Sequence, residues 1–214
     1  MFWGLTGCSG TGVSTVAAVW NRLGAHVCSL DAVGHGFLNK PAVKKALESE
    51  LGIQGLSSMS GEQIREQLRE RAFAFPEILG GINRVLHPRL KRWVANSVEE
   101  LRDENGVFVL DAALIFELGL DNYLSRTVTV TDRLERVMKR LTARDGISKD
   151  TVTGRWQNQI SLREKSMRSH FVIRNASTEE MLKKNAENFY KEVIQRMEEP
   201  GGTQNKKETD KKRN

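Results

Sequence analysis

Cysteine is scarce in this chain. Cys8 and Cys28 are the only two, too few for a disulfide framework, and no CxxC pair or Cys/His cluster outlines a metal centre. Long apolar runs are missing too. None approaches the roughly 20 residues that a membrane helix needs, although 39% hydrophobic residues suffice for a core. The opening apolar run leads straight into a glycine loop, with no basic stretch and signal-like core before it. The expectation is therefore a soluble cytoplasmic protein with no membrane partner. No internal repeat is found, and no Asp–His–Ser order suggests a hydrolase. Aromatic residues are lacking from the basic end, where Lys206, Lys207, Lys211, Lys212 and Arg213 follow Pro200-Gly201-Gly202. Without rings to stack on bases, residues 200–214 read as a disordered basic tail rather than a nucleic-acid arm.

At 214 residues the chain suits one compact domain with inserted subdomains. The expected state is a monomer or a weak homo-oligomer. A net charge of +6 suits a small polyanionic ligand.

The most informative stretch is Gly7-Cys8-Ser9-Gly10-Thr11-Gly12-Val13-Ser14-Thr15. An apolar run, Phe2-Trp3-Gly4-Leu5, leads into it and a helical pattern leads out. Strand, glycine loop and helix form the context in which a loop can cradle phosphate. The glycines let successive N–H groups turn inward, and the helix start adds positive potential. Gly10, Thr11, Gly12, Val13, Ser14 and Thr15 are thus the anion-binding candidates, and Ser14 stands where the loop hydroxyl would bind Mg²⁺. The spacing fits G-x-x-x-x-G-K-[ST] at every position but one: Val13 stands where the lysine belongs.

Further along, Val27 to Leu30 reads as a short strand ending at Asp31. A carboxylate there points into the crevice where α/β sheets bind ligands, or else caps the next helix. Both readings stand at this level. From Gly34 to about Asn105 the pattern is helical, with a helix from Pro41, another from Ser60 to Phe73, a third from Pro76 to a break at His87-Pro88, and a fourth from Arg89. The block is too long for a simple crossover, and reads as a substrate-receiving subdomain. Arg65 is either a solvated charge or an anion contact. His87 is either a base or phosphate contact, or a buried residue before proline. Val107 to Leu110 is a strand buried on both faces, followed by Asp111, which either helps hold Mg²⁺ or accepts bonds from loop amides. Thr127–Val130 and Phe171–Ile173 complete five strands with helices between, hence a parallel α/β sheet. Arg136, Arg140, Arg144, Arg155 and Arg163 fall in a region of two helices, Leu134–Thr142 and about 150–167, separated by a break at Arg144-Asp145-Gly146, that suits either a lid or a solvated surface.

These residues, in this order, resemble the dephospho-coenzyme A kinase family. Leu5-Thr6-Gly7 into Gly10-Thr11-Gly12 and Ser14-Thr15 resembles its opening loop, apart from Val13. Leu30-Asp31-Ala32-Val33-Gly34-His35 is similar to the segment that carries its catalytic aspartate. Arg65 through Phe73, Pro76 and Leu86-His87-Pro88 reproduce its coenzyme-binding spacing. Asp111 through Glu117, with Ala113 in place of the usual proline, resembles its third strand and loop. Arg140, Arg144-Asp145, Arg155, Gln159, Lys165 and Asn175 resemble its lid and closing segment.

The resemblance implies a phosphate-loop kinase of three-layer α/β fold with three parts. They are a nucleotide core (1–33, 106–138 and 168–199), a helical coenzyme-binding insertion (34–105) and a lid (139–167). It implies ATP and Mg²⁺ as cofactors and dephospho-coenzyme A as substrate. Asp31, Arg140 and Arg144 would be catalytic, Arg65 and His87 substrate-binding, Ser14 and Asp111 on the metal, and Asn175 near adenine. Val13 leaves three readings open: an active kinase with a substitute cation, a nucleotide-binding pseudokinase, or a kinase for another small alcohol.

Overall fold

The structure is a computed structural model and describes residues 1–146, 152–154, 156, 159–176 and 178–198. Within this, the side chains of residues 73, 74, 144, 145 and 198 are also left undescribed. The expected tail, 200–214, lies outside these residues, as do Arg155 and part of the second lid helix.

Five parallel strands form one sheet in the order β2-β3-β1-β4-β5. They are β1 (Phe2–Gly7), β2 (His26–Ser29), β3 (Phe108–Asp111), β4 (Arg126–Thr131) and β5 (Phe171–Arg174). Period-two alternation splits their side chains between two cores. Phe2 and Leu110 face one layer, built on α2 (Leu30–Phe37), α3 (Pro41–Leu51), α4 (Gly61–Ala74) and α5 (Pro76–Glu100). Trp3, Leu5, Val109, Val128 and Val130 face the other, where α1 (Val13–Arg22) packs beside α8 (Glu179–Phe189). Between β4 and β5 lie α6 (Leu134–Asp145) and α7 (Leu162–Arg168). Two tryptophans, Trp3 and Trp20, are fully buried in the second core, and Trp20 donates its indole N–H to the Ala186 carbonyl at 2.9 Å.

Three expectations fail. The second strand stops at Ser29, because the Ser29 hydroxyl caps α2 and draws Leu30 and Asp31 into its first turn. The second lid helix is not continuous, because residues 159–161 leave helical geometry and Ser161 caps α7. The break at His87-Pro88 does not occur, and α5 runs unbroken through Pro88. A proline inside a helix removes one hydrogen bond and crowds the preceding turn, typically at about 3 kcal/mol. One feature offsets this. Val85, Leu90 and Val94, on both sides of Pro88, are buried in the same core, so packing spans the proline.

Candidate functional site

All five strands run the same way, so their carboxyl ends open on one side of the sheet, where open α/β sheets bind ligands. A cleft of about 520 Å³ lies there, lined by the glycine loop with Asp31, Asp111, Arg140, Asn175 and Glu179 among others. Gly12 is the N-cap of α1 at φ +107°, with no side-chain cap. Helix starts carry unpaired N–H groups, and a glycine cap offers no oxygen to satisfy them. Gly10 is also left-handed, at φ +81°. A Cβ on Gly10 would lie 2.7 Å from Leu141, and one on Gly12 2.6 Å from Leu182. Glycine is thus required twice over, by conformation and by space.

Asp31 is exposed in the first turn of α2. It does not cap that helix, because the cap is Ser29, whose hydroxyl accepts from the Ala32 amide at 3.4 Å. Ser29 pairs with Asp111 across the adjacent strands, which brings the two carboxylates to neighbouring strand ends. Burial, and then the Asp31 charge, push the Asp111 carboxyl up to about 6 from its ordinary 3.8. Two hard oxygen acids and the exposed Ser14 hydroxyl suit a divalent cation such as Mg²⁺, and a cation there would relieve their repulsion. Among the described residues no group of three or more His, Cys, Asp or Glu forms a denser metal site.

Val13 is half-buried, packed on the core that contains Trp3, Leu5 and Val16, with part of its surface on the cleft. Arg140 is the described basic residue that lines the cleft. It donates to Asp132 Oδ2 at 2.7 Å and to the Gly10 carbonyl at 2.8 Å. Asn175 is buried, with its amide on the Thr11 carbonyl at 2.9 Å, so it meets the loop itself. Thr15 also faces the cleft. Arg144 lies in the last turn of α6, its side chain outside the described residues. Arg65 is exposed on α4 and His87 is half-buried in α5, neither lining this cleft. Burial lowers the His87 pKa.

Sequence reasoning overlooked two contributors, Asp132 and Trp156, and gave a third, Lys165, no role of its own. Asp132, its side chain 1% exposed, receives Arg136 at 2.8 Å and Arg140 at 2.7 Å. It directly follows β4, so the rule that singles out Asp31 and Asp111 applies to it as well. Trp156 donates its indole N–H to the Ser9 carbonyl at 3.0 Å. Lys165, fully buried, pairs with Glu117 at 2.9 Å and also donates to the Ala113 carbonyl. Thr6 donates to that same carbonyl at 3.2 Å. The pair therefore fixes the loop after Asp111 from below. Cys8 is buried, and its thiol is pushed up to about 11, chiefly by burial.

The model of the dephospho-CoA kinase family matches residues 1–180. The chain belongs to the dephospho-CoA kinase family. A dephospho-CoA kinase of Corynebacterium diphtheriae is 29% identical over 196 residues, covering 91% of this chain and 98% of that protein. One from Thermus thermophilus is 32% identical over 182 residues, covering 85% and 86%. A crystal structure of a Thermus thermophilus protein superposes with a TM-score of 0.70 at 31% identity, covering 91% of this chain and 96% of that one. A dephospho-CoA kinase from Campylobacter jejuni, at 24% identity and a TM-score of 0.66, shares the fold. The chain is thus an enzyme of the phosphate-loop kinase fold. Among the described residues no helix is long and apolar enough to cross a membrane.

Proposed function

We propose that the chain transfers the γ-phosphoryl group of ATP to the ribose 3′-hydroxyl of dephospho-CoA, the last step of coenzyme A biosynthesis. The observation that carries this is the meeting of an uncapped glycine loop with two carboxylates, Asp111 at the end of β3 and Asp31 in the first turn of α2, in one cleft. The exposed carboxylate of Asp31 accepts the proton of the 3′-hydroxyl as that oxygen attacks phosphorus. A P–O bond forms to the ribose, and the bond to the departing ADP breaks. Loop amides from Gly10 to Thr15 bind the phosphate oxygens. Ser14 and Asp111 hold the Mg²⁺, which supplies charge neutralisation to the phosphates when bound. Arg140, beside the loop, adds positive potential where charge builds up. In this reading residues 34–105 receive the coenzyme, with Arg65 and His87 on that side, and 139–167 cover the nucleotide. Arg144 belongs to that cover, and the protein acts as a monomer or weak homo-oligomer in the cytoplasm.

Val13 favours a second reading, a nucleotide-binding protein without turnover, since no ammonium rises from the loop itself. A coupled assay of ADP formation decides between them. The kinase reading expects ADP release that depends on both dephospho-CoA and Mg²⁺. ATP binding with no acceptor-dependent ADP would leave the second reading.

A further inference from the structure

A loop that turns its amides inward to an anion must turn its carbonyls out, and those carbonyls need donors of their own. Here four in succession have them. The Cys8 carbonyl accepts from the Thr11 amide at 3.1 Å and the Thr11 hydroxyl at 2.9 Å. The Ser9 carbonyl accepts from Trp156 at 3.0 Å, that of Gly10 from Arg140 at 2.8 Å, and that of Thr11 from Asn175 at 2.9 Å. The last three donors are side chains from a distant span of the chain.

Each donor is itself fixed. Asn175 is 3% exposed, and its backbone N–H bonds to the Thr131 carbonyl at 2.7 Å. The carbonyls of Asn175 and Ala176 accept from Arg136 at 3.3 and 2.6 Å. Arg136 and Arg140 share the two oxygens of Asp132. Trp156 packs in a small apolar cluster with Val137, Leu141 and Val152, and Leu141 and Val137 press on Gly10. With valine at position 13, nothing cationic within the loop can order it around a phosphate chain.

We infer that Trp156, Arg140 and Asn175 form a carbonyl clamp that holds the phosphate loop in its anion-binding shape, which makes Trp156 a positioning residue for the triphosphate. This rests on the phosphate-loop reading above. Trp156 acts through the loop's carbonyl side, so its loss falls on the phosphate chain and spares the nucleoside.

The test uses the full chain and Trp156→Phe, which keeps a ring in the apolar cluster but has no N–H. Binding of ATP, inorganic tripolyphosphate and adenosine is measured by calorimetry, alongside melting temperature. A lost hydrogen bond of this kind is worth about threefold to tenfold. The expected result is that much weaker ATP and tripolyphosphate binding, adenosine affinity within about twofold, and an unchanged melting temperature. Asn175→Ser provides the second variant and should weaken ATP and tripolyphosphate. Parental binding of both polyphosphates with neither variant affected overturns the clamp alone. A parallel loss of adenosine affinity in Trp156→Phe also overturns it, as general destabilisation. Failure of the parent to bind ATP or tripolyphosphate overturns the phosphate-loop reading along with the clamp.

Discussion

The two walls of the cleft are built on opposite terms. On the strand-end wall, Asp31 is exposed and Asp111 is held as an acid whose charge is disfavoured by burial and by its neighbour. On the wall supplied by residues 132–175, Asp132, Arg136, Arg140, Trp156 and Asn175 are bonded to one another or to the loop. The first wall keeps its polar capacity for something that is not protein. The second has spent its capacity on holding the loop still. Preorganisation and chemistry thus sit on different segments, and mutations should separate them.

The largest expected effect is on the chemical wall. Asp31→Asn should lower phosphoryl transfer by about 10²–10⁴-fold and leave ATP affinity within a few-fold, because the amide keeps the shape but cannot take the proton. Initial rates and calorimetry check this pair. A rate near the parent's would reduce Asp31 to a bystander and dissolve the contrast.

Next comes Val13→Lys. An ammonium reaching the phosphates should raise transfer by up to about 10²-fold if no other cation now supplies that charge. A small gain over an active parent would instead mark Arg140 as the substitute. Val13 is half-buried against the second core, so the lysine must leave that packing, and melting temperature should fall slightly. Parallel rate and melting measurements read both consequences.

On the scaffolding wall, Arg140→Ala removes a charge-assisted bond to Asp132 together with the donor to Gly10. ATP affinity should fall by about tenfold, with the turnover of bound substrate less affected than by Asp31→Asn. The KM-against-kcat split tests this.

The smallest effect sharpens the other side. The Asp111 carboxyl is raised from 3.8 to about 6 in the folded protein. The native state therefore binds this proton more tightly than the unfolded chain. Its contribution to stability is fully present below about pH 4 and is lost as pH rises through about 6. In metal-free buffer, Asp111→Asn should stabilise the fold above pH 7 by up to about 3 kcal/mol, and have little effect near pH 4. Denaturant titrations at both pH values decide it. Equal effects at the two would show that the shift has another origin.

How far sequence reached follows the same division. The sheet was readable because a buried parallel strand tends to be a short apolar run, as in Val107 to Leu110, which is ended by the polar Asp111. The loop was readable because its glycines recur at a fixed spacing. Asp31 stayed ambiguous, since capping and catalysis both favour an aspartate after a strand. The Ser29 cap removes the capping reading, and the Asp31→Asn rate tests the catalytic one. Pro88 misled because its local cost is outweighed by burial on both sides. Arg140 and Asn175 were singled out but not as carbonyl donors, and Trp156 was missed altogether: Trp156 and Ser9 are 147 positions apart, and no local pattern encodes such a contact.

The central claim is phosphoryl transfer to one particular hydroxyl. Its most direct test is ³¹P NMR of the product formed from dephospho-CoA and Mg²⁺-ATP, with mass spectrometry of the same sample. The account predicts one new phosphomonoester on the ribose 3′-oxygen, formed one-for-one with ADP and absent with Asp31→Asn. Bound ATP with no new phosphomonoester, or phosphate on another oxygen, would contradict it.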